Sequence, residues 1–169
     1  KMKMSAVKIY AQSLNLQILQ PTNLKDASFI QDLKDLNPNL QVVVAFRMLP
    51  KLVWDIPILG TFNLHASLLP QYRGAAPINY AIINGEKETG VTTFLIDDKI
   101  DTGEIILQEK IAIADNETVG SLHDKLMFLG ADLVTKTVDL ISEGNVTTKK
   151  QPELEEKSAP KLNPENTKI

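Results

Sequence analysis

"LQVVVAFRMLPKLVWDIPILGTFNLHASLLPQYRGAAPINYAI", Leu40 to Ile82, decides the fold. It opens with "LQVVVAF", an apolar run rich in β-branched residues, the pattern of a strand covered on both faces. A short helix from Pro50 to Trp54 then leads through Gly60 to a second strand, "TFNLH". Strand, helix and strand at such short spacing predict an α/β fold, with a mostly parallel sheet flanked by helices.

Upstream, Val7, Ile9, Tyr10, Leu14 and Leu16 predict a helix from about Ser5 to Leu14, followed by a strand over "LQIL" and a turn at Pro21. Phe29, Ile30, Leu33 and Leu36 recur at helical spacing until Asn37-Pro38 stops them. Downstream, Pro77 to Asn84 reads as a helix ended by Gly85. Two strand-like runs, "GVTTFLID" and "EIILQEKIAI", then flank the polar loop "DDKIDTGE". Ser121 and Asp124 have the spacing of a capping box. Behind them Leu122, Leu126, Leu129, Leu133, Val134, Val138 and Ile141 form one apolar stripe, closed by Gly144. The remainder, residues 145–169, is polar, holds Pro152, Pro160 and Pro164, and reads as a linker or arm.

Composition narrows the function classes. The chain has 169 residues, 43% of them hydrophobic and 23% charged, and a formal charge of −3. That balance suits one globular unit and argues against nucleic-acid binding through bulk charge alone, though a local basic patch stays open. No cysteine is present, which removes disulfides and thiolate metal sites. No apolar run approaches the roughly 20 residues that a membrane span needs. "DDKIDTGE" is no calcium loop: its glycine falls one place late and Gln108 stands where a bidentate glutamate is required. No metal site is expected.

If "FNLH" is a strand, Asn63 and His65 share a face. A neutral hydrogen-bonding group then lies beside a titratable ring at a strand's C-terminal end, where open α/β sheets bind ligands. Taken alone, a structural asparagine and a buried histidine would read the same way. Gly74-Ala75-Ala76 removes side-chain bulk from the following loop and lets something approach closely, either a ligand or a packed neighbour. Asp101 either sits in a solvated turn or folds back to orient the His65 ring and support its charged form. His123 reads as an exposed helix residue, and Lys1, Lys3 and Lys8 as a modest basic cluster.

"NLHASLLPQYRGAAPI", "GEKETGVTTFLIDDKIDTGEIILQEKIAI" and "TVGSLHDKL" together resemble the formyltransferases that use 10-formyltetrahydrofolate, and among them the group acting on methionyl-tRNA. The resemblance implies a Rossmann-like formyltransferase fold and a catalytic trio of Asn63, His65 and Asp101. It implies a folate held between Arg47, Met48 and Leu49 on one side and the loop carrying Ile96, Asp97, Asp98 and Ile100 on the other, with Gly74 close by. "AFRML" departs from the family by placing Arg47 where many members have glycine. "KMKMSAVK" is similar to the end of a basic loop that reaches the tRNA acceptor stem, which puts Lys1 and Lys3, with Arg73, on the nucleic-acid side.

Measured against that family, residues 1–144 form a partial catalytic domain without its first strand–helix–strand unit, and an apolar sheet edge is expected where that unit would pair. Residues 145–169 lead towards a further, tRNA-holding domain. The implied activity is cytoplasmic transfer of a formyl group to initiator methionyl-tRNA. Formylation of another amine, such as an amino-sugar nucleotide, and a non-catalytic folate-binding role are the alternatives.

Overall fold

A computed structural model describes residues 4–45 and 47–168. Helix α1 (Ala6–Ser13) starts on the Ser5 hydroxyl, which accepts the Lys8 amide. Helix α2 (Ala27–Asp35) is capped by the Asp26 carboxylate, which accepts the amides of Ser28 and Phe29. Strand β1 (Gln41–Val44), the short helix α3 (Lys51–Trp54) and strand β2 (Thr61–His65) follow as the sequence predicts, and β1 pairs with β2 in parallel. A two-residue strand, β3 (Arg73–Gly74), precedes helix α4 (Pro77–Ile83), which carries proline in its first turn and ends at Gly85 with φ +65°. Strands β4 (Glu88–Leu95) and β5 (Ile105–Ala112) form an antiparallel hairpin. The long helix α5 (Val119–Ser142) covers them, and strand β6 (Ser158–Ala159) lies in the segment after it.

The α/β fold is as expected, but the sheet is mixed rather than mostly parallel. Its order is β1-β2-β4-β5, and both β2–β4 and β4–β5 are antiparallel. For β4–β5 the reason is connectivity: the nine-residue loop between them is too short for the crossover that a parallel pair requires. Strand β1 stands at the sheet edge with Val42 and Val44 40% and 55% exposed, so it is not covered on both faces. The "LQIL" segment forms no strand; the Leu16 amide instead closes the end of α1 on the Ala11 carbonyl. The cap of α5 lies three residues before the expected one. Thr118 accepts the Ser121 amide, and the Ser121 hydroxyl in turn accepts the Thr118 amide. Serine at the third helical position therefore does the work that Asp124 was expected to do.

Alternation along β2 divides the molecule. Phe62 and Leu64 face α5: Phe62 packs with Ile106 and Ile141, and Leu64 with the cluster of Val91, Leu122, Leu126 and Leu133. Gly130 lets α5 come down onto Leu64, since a Cβ there would lie 2.7 Å from its Cδ2. Asn63 and His65 occupy the opposite face, which is covered by loops and by the returning tail. The tail is no free arm over its whole length. Lys149 exchanges both backbone hydrogen bonds with Ile105, and β6 pairs in parallel with β3, burying Ala159 completely. Among the described residues, no helix is long and apolar enough to cross a membrane.

Candidate active site

The site is assembled on the polar face of β2 from a strand, two loops and the tail. His65 is buried, and its Nε2 lies 2.8 Å from the main-chain oxygen of Tyr72. A carbonyl only accepts, so Nε2 carries a proton in either charge state of the ring. Nδ1 is left facing Asp101, whose Oδ2 is 3.7 Å away. That separation is beyond a hydrogen bond but within ion-pair range. Nδ1 can therefore donate only when the ring is an imidazolium, and the carboxylate beside it supplies the counter-charge.

Asp101 reaches this position from the far end of the strand. The loop leaves β4 where the Ile96 amide donates to Thr61. It then returns along the face to His65, a span of about 13 Å at strand rise. Asp101 itself is in the left-handed region, φ +54°, a conformation uncommon outside glycine and tolerated best by Asn and Asp. Its carboxylate accepts the Gly74 amide at 2.9 Å, and its main-chain oxygen accepts Arg73 Nε at 3.0 Å and Gln151 Nε2 at 2.9 Å.

Asn63 completes the trio in an unusual state. Its Oδ1 is buried and has no hydrogen-bond partner among the described residues. Leaving a buried polar group unmatched costs roughly 1–3 kcal/mol. An unmatched buried oxygen beside a buried histidine calls for a partner from outside the chain, a water or a ligand. A carboxamide can present either its oxygen or its NH2, so this position can donate as well as accept. Two donors and a carboxylate on one face suit the stabilisation of negative charge on an oxygen together with movement of a proton.

Of the residues expected to hold a folate, Gly74 binds the Asp101 carboxylate and Ile100 precedes Asp101 in its turn, whereas Ile96 lies at the other end of β2, its amide on the Thr61 carbonyl. Because β1 and β2 are parallel, Arg47, Met48 and Leu49 follow β1 past the same sheet end as His65. The Arg47 guanidinium donates to the carbonyls of Pro21 and Thr22, and Met48 is 72% exposed. In the opposing loop Ile100 is exposed, as is Asp98, while Asp97 accepts the Lys99 amide and the Thr102 hydroxyl and so holds the turn. Gly74 does permit a close approach, and the group that approaches is the backbone of Ala159. Arg73, expected on the nucleic-acid side, is turned inward. Its side chain is 19% exposed and is taken up by Asp101, Gln151 and Glu156. Lys1 and Lys3 lie outside the described residues. His123 is exposed beside Asp124 and away from the trio, as the sequence predicts.

Sequence reasoning missed Tyr72 and Gln151. The carbonyl of Tyr72 fixes His65, while its hydroxyl donates to the Glu86 carboxylate and accepts the Asn84 amide at 3.0 Å. Lys157 Nζ reaches the same Glu86 oxygen at 2.6 Å. The Lys157 bond, and then that of Tyr72, hold the Glu86 carboxyl below the usual carboxylate value; burial, and then Glu86, push the Tyr72 hydroxyl up. No local signal marks Gln151, which sits in a polar, proline-bearing run that reads as linker.

The family model described as formyl transferase matches residues 1–138. The chain belongs to the formyl transferase family. A methionyl-tRNA formyltransferase of Flavobacterium johnsoniae is 65% identical over the whole of this chain, and the Bacteroides fragilis protein of the same name is 56% identical. The matches cover 54% and 53% of those proteins, so the chain spans about half the length of the curated relatives it matches. Among solved structures, the sugar 3N-formyl transferase WlaRD, crystallised with dTDP and 5-N-formyl-THF, superposes with a TM-score of 0.73. It is 26% identical, and the match covers 94% of this chain and 55% of that one. Phosphoribosylglycinamide formyltransferase of Bacillus halodurans shares the fold, with a TM-score of 0.76 at 24% identity over 85% of this formyl transferase and 78% of its own chain.

Proposed function

We propose that this formyl transferase moves a formyl group from 10-formyltetrahydrofolate to the α-amino group of initiator methionyl-tRNA, a cytoplasmic reaction of translation initiation. The observation that carries the chemistry is the approach of Asp101 to the buried His65 on the face that also holds Asn63, whose Oδ1 has no partner among the described residues. The choice of acceptor is supported by the name shared by the most similar relatives.

The folate co-substrate supplies an electrophilic formyl carbon. The neutral amine of the acceptor forms a C–N bond to that carbon as the bond to the folate nitrogen breaks, and one proton passes from the attacking nitrogen to the departing one. Negative charge gathers meanwhile on the formyl oxygen. Asn63 Nδ2 and the imidazolium Nδ1–H of His65 are the donors for that oxygen, each typically worth about 3 kcal/mol in such a role. Asp101 accepts the amine proton, directly or through water, and returns it to the leaving nitrogen. Tyr72 keeps Nε2 protonated throughout. The exposed side chains of Met48 and Ile100 give a flat aromatic donor apolar surface from two sides. Lys1 and Lys3 contribute charge towards the tRNA acceptor stem.

An amino-sugar nucleotide as acceptor is the second reading, favoured by the likeness to WlaRD. The full-length protein, supplied with 10-formyltetrahydrofolate and offered methionyl-tRNA or a dTDP-linked amino sugar in parallel, separates the two. Formylated methionyl-tRNA is the expected product. Formylation of the sugar alone would transfer the assignment to that class, and no formylation of either would leave a folate-binding protein.

A further inference from the structure

We propose that Gln151, on the tail, is a positioning residue for Asp101, so that the segment after α5 is part of the catalytic apparatus. The inference rests on the catalytic reading of Asp101 given above. Asp101 needs such help. Its φ of +54° is disfavoured for any residue with a Cβ, and a conformation of this kind persists only when the surroundings over-determine it. Gln151 supplies that determination through one side chain. Nε2 donates both to Asp101 O at 2.9 Å and to Gly103 O at 2.8 Å, tying together two carbonyls of the turn. Oε1 accepts Arg73 Nη2 at 2.7 Å and Nε at 3.2 Å, and Arg73 Nε also donates to Asp101 O. All the hydrogen-bonding capacity of the carboxamide end is thus directed at the turn and at the arginine that braces it.

The tail is anchored on both sides of Gln151, as a positioning device must be. Before it, Lys149 and Ile105 exchange amide bonds of 2.8 and 2.9 Å. After it, Tyr72 N donates to Lys157 O at 2.6 Å and Ala76 N to Ala159 O at 3.1 Å, with Arg73–Gly74 paired to Ser158–Ala159 in between. The second anchor acts on the trio as well. The loop it fixes provides the Tyr72 carbonyl that binds His65 and the Gly74 amide that binds the Asp101 carboxylate. Gln151 therefore sets the Asp101 main chain while the β3–β6 pair sets the groups that meet its side chain.

A double-mutant cycle in the full-length protein tests this. Gln151→Ala should lower kcat for formyl transfer by ~10- to 100-fold, the cost of a misplacement near 1 Å, with KM for methionyl-tRNA little changed. In an Asp101→Asn background, where there is no carboxylate left to position, the same change should cost less than about 3-fold. Gln151→Glu keeps an oxygen for Arg73 but removes the amide donor. It should follow Gln151→Ala, and it carries the test if the alanine variant fails to fold. Equal losses in both backgrounds would mean general destabilisation and overturn the proposal, as would normal kcat in Gln151→Glu. Full activity in Asp101→Asn by itself would instead overturn the catalytic reading on which the proposal stands.

Discussion

A Cβ built on Gly74 would stand 2.5 Å from the main-chain oxygen of Ala159, so β3 and the tail meet backbone to backbone with no room for a methyl group. Gly74 also has φ +122°, which side-chain-bearing residues rarely adopt. Both penalties fall on Gly74→Ala, and backbone strain of this kind costs about 1–3 kcal/mol before the clash is counted. The variant should melt earlier than the parent and expose residues 150–160 to a protease. It should also lose formyl transfer, because the Gly74 amide that holds Asp101 moves with it. A variant with unchanged melting and an uncut tail would show that the β3–β6 pairing is dispensable.

Asn63 separates stability from function in the opposite sense. The fold gains nothing from its buried Oδ1, which has no partner among the described residues. Asn63→Ala therefore relieves a desolvation cost and, on the role proposed for Asn63, deletes a donor to the reacting oxygen. Denaturant titration should give stability equal to or above that of the parent, and kcat should fall by about 10²- to 10³-fold. A marked loss of stability would mean that the carboxamide supports the fold and has been given the wrong role.

The contrast between these two residues shows what a single sequence makes legible. Asn63 and His65 were readable because a strand's period of two places them on one face, and because their neighbours Phe62 and Leu64 are large and apolar enough to choose α5. The strand itself was marked by a glycine before it and a loop of small residues after it. Gly74 was readable as a close approach but not as a contact with Ala159, since the partner comes from a polar run with no periodicity. The same blindness hid Gln151. Apolar runs do not encode whether a neighbour is parallel; the β4–β5 loop is short enough to exclude a crossover, whereas the long segment between β2 and β4 permits either direction and so marks nothing. "LQIL" has strand composition but no strand beside it, and composition cannot create a partner.

Thr93 and Thr137 offer a test inside the core. Both are fully buried, their hydroxyls are 2.8 Å apart, and Thr137 Oγ1 donates to the Leu133 carbonyl at 2.7 Å. With the Thr137 proton used in that way, Thr93 must be the donor of the pair. The two valine substitutions should then differ. Thr137→Val strands the Thr93 hydroxyl and should cost roughly 1–3 kcal/mol, while Thr93→Val leaves Thr137 bonded to Leu133 and should cost less. The double variant should recover much of the loss, because no unmatched group remains. Equal costs for the two single variants, measured by urea unfolding, would contradict this assignment of donor and acceptor.

Glu86 ties the tail to the loop behind His65 and makes that clasp sensitive to acid. Lys157 and Tyr72 both donate to its carboxylate, which lowers the carboxyl below its ordinary value. A group whose proton is bound more weakly in the folded state adds stability above its unfolded value, near pH 4.3, and that contribution is lost as the pH falls through the depressed folded value. The Tyr72 hydroxyl is shifted upward, so its share is present below about pH 10 and lost above its raised value. The clasp should therefore be tightest between about pH 5 and pH 9. The melting temperature of Glu86→Gln should lie below that of the parent throughout this window, and the two curves should converge as the pH drops below about 4. Cleavage of the parent at residues 150–160 should rise over the same acid range, whereas in Glu86→Gln it should already be raised at neutral pH. A difference in melting that stays constant from pH 3 to pH 8 would mean that the carboxylate's charge plays no part in holding the tail.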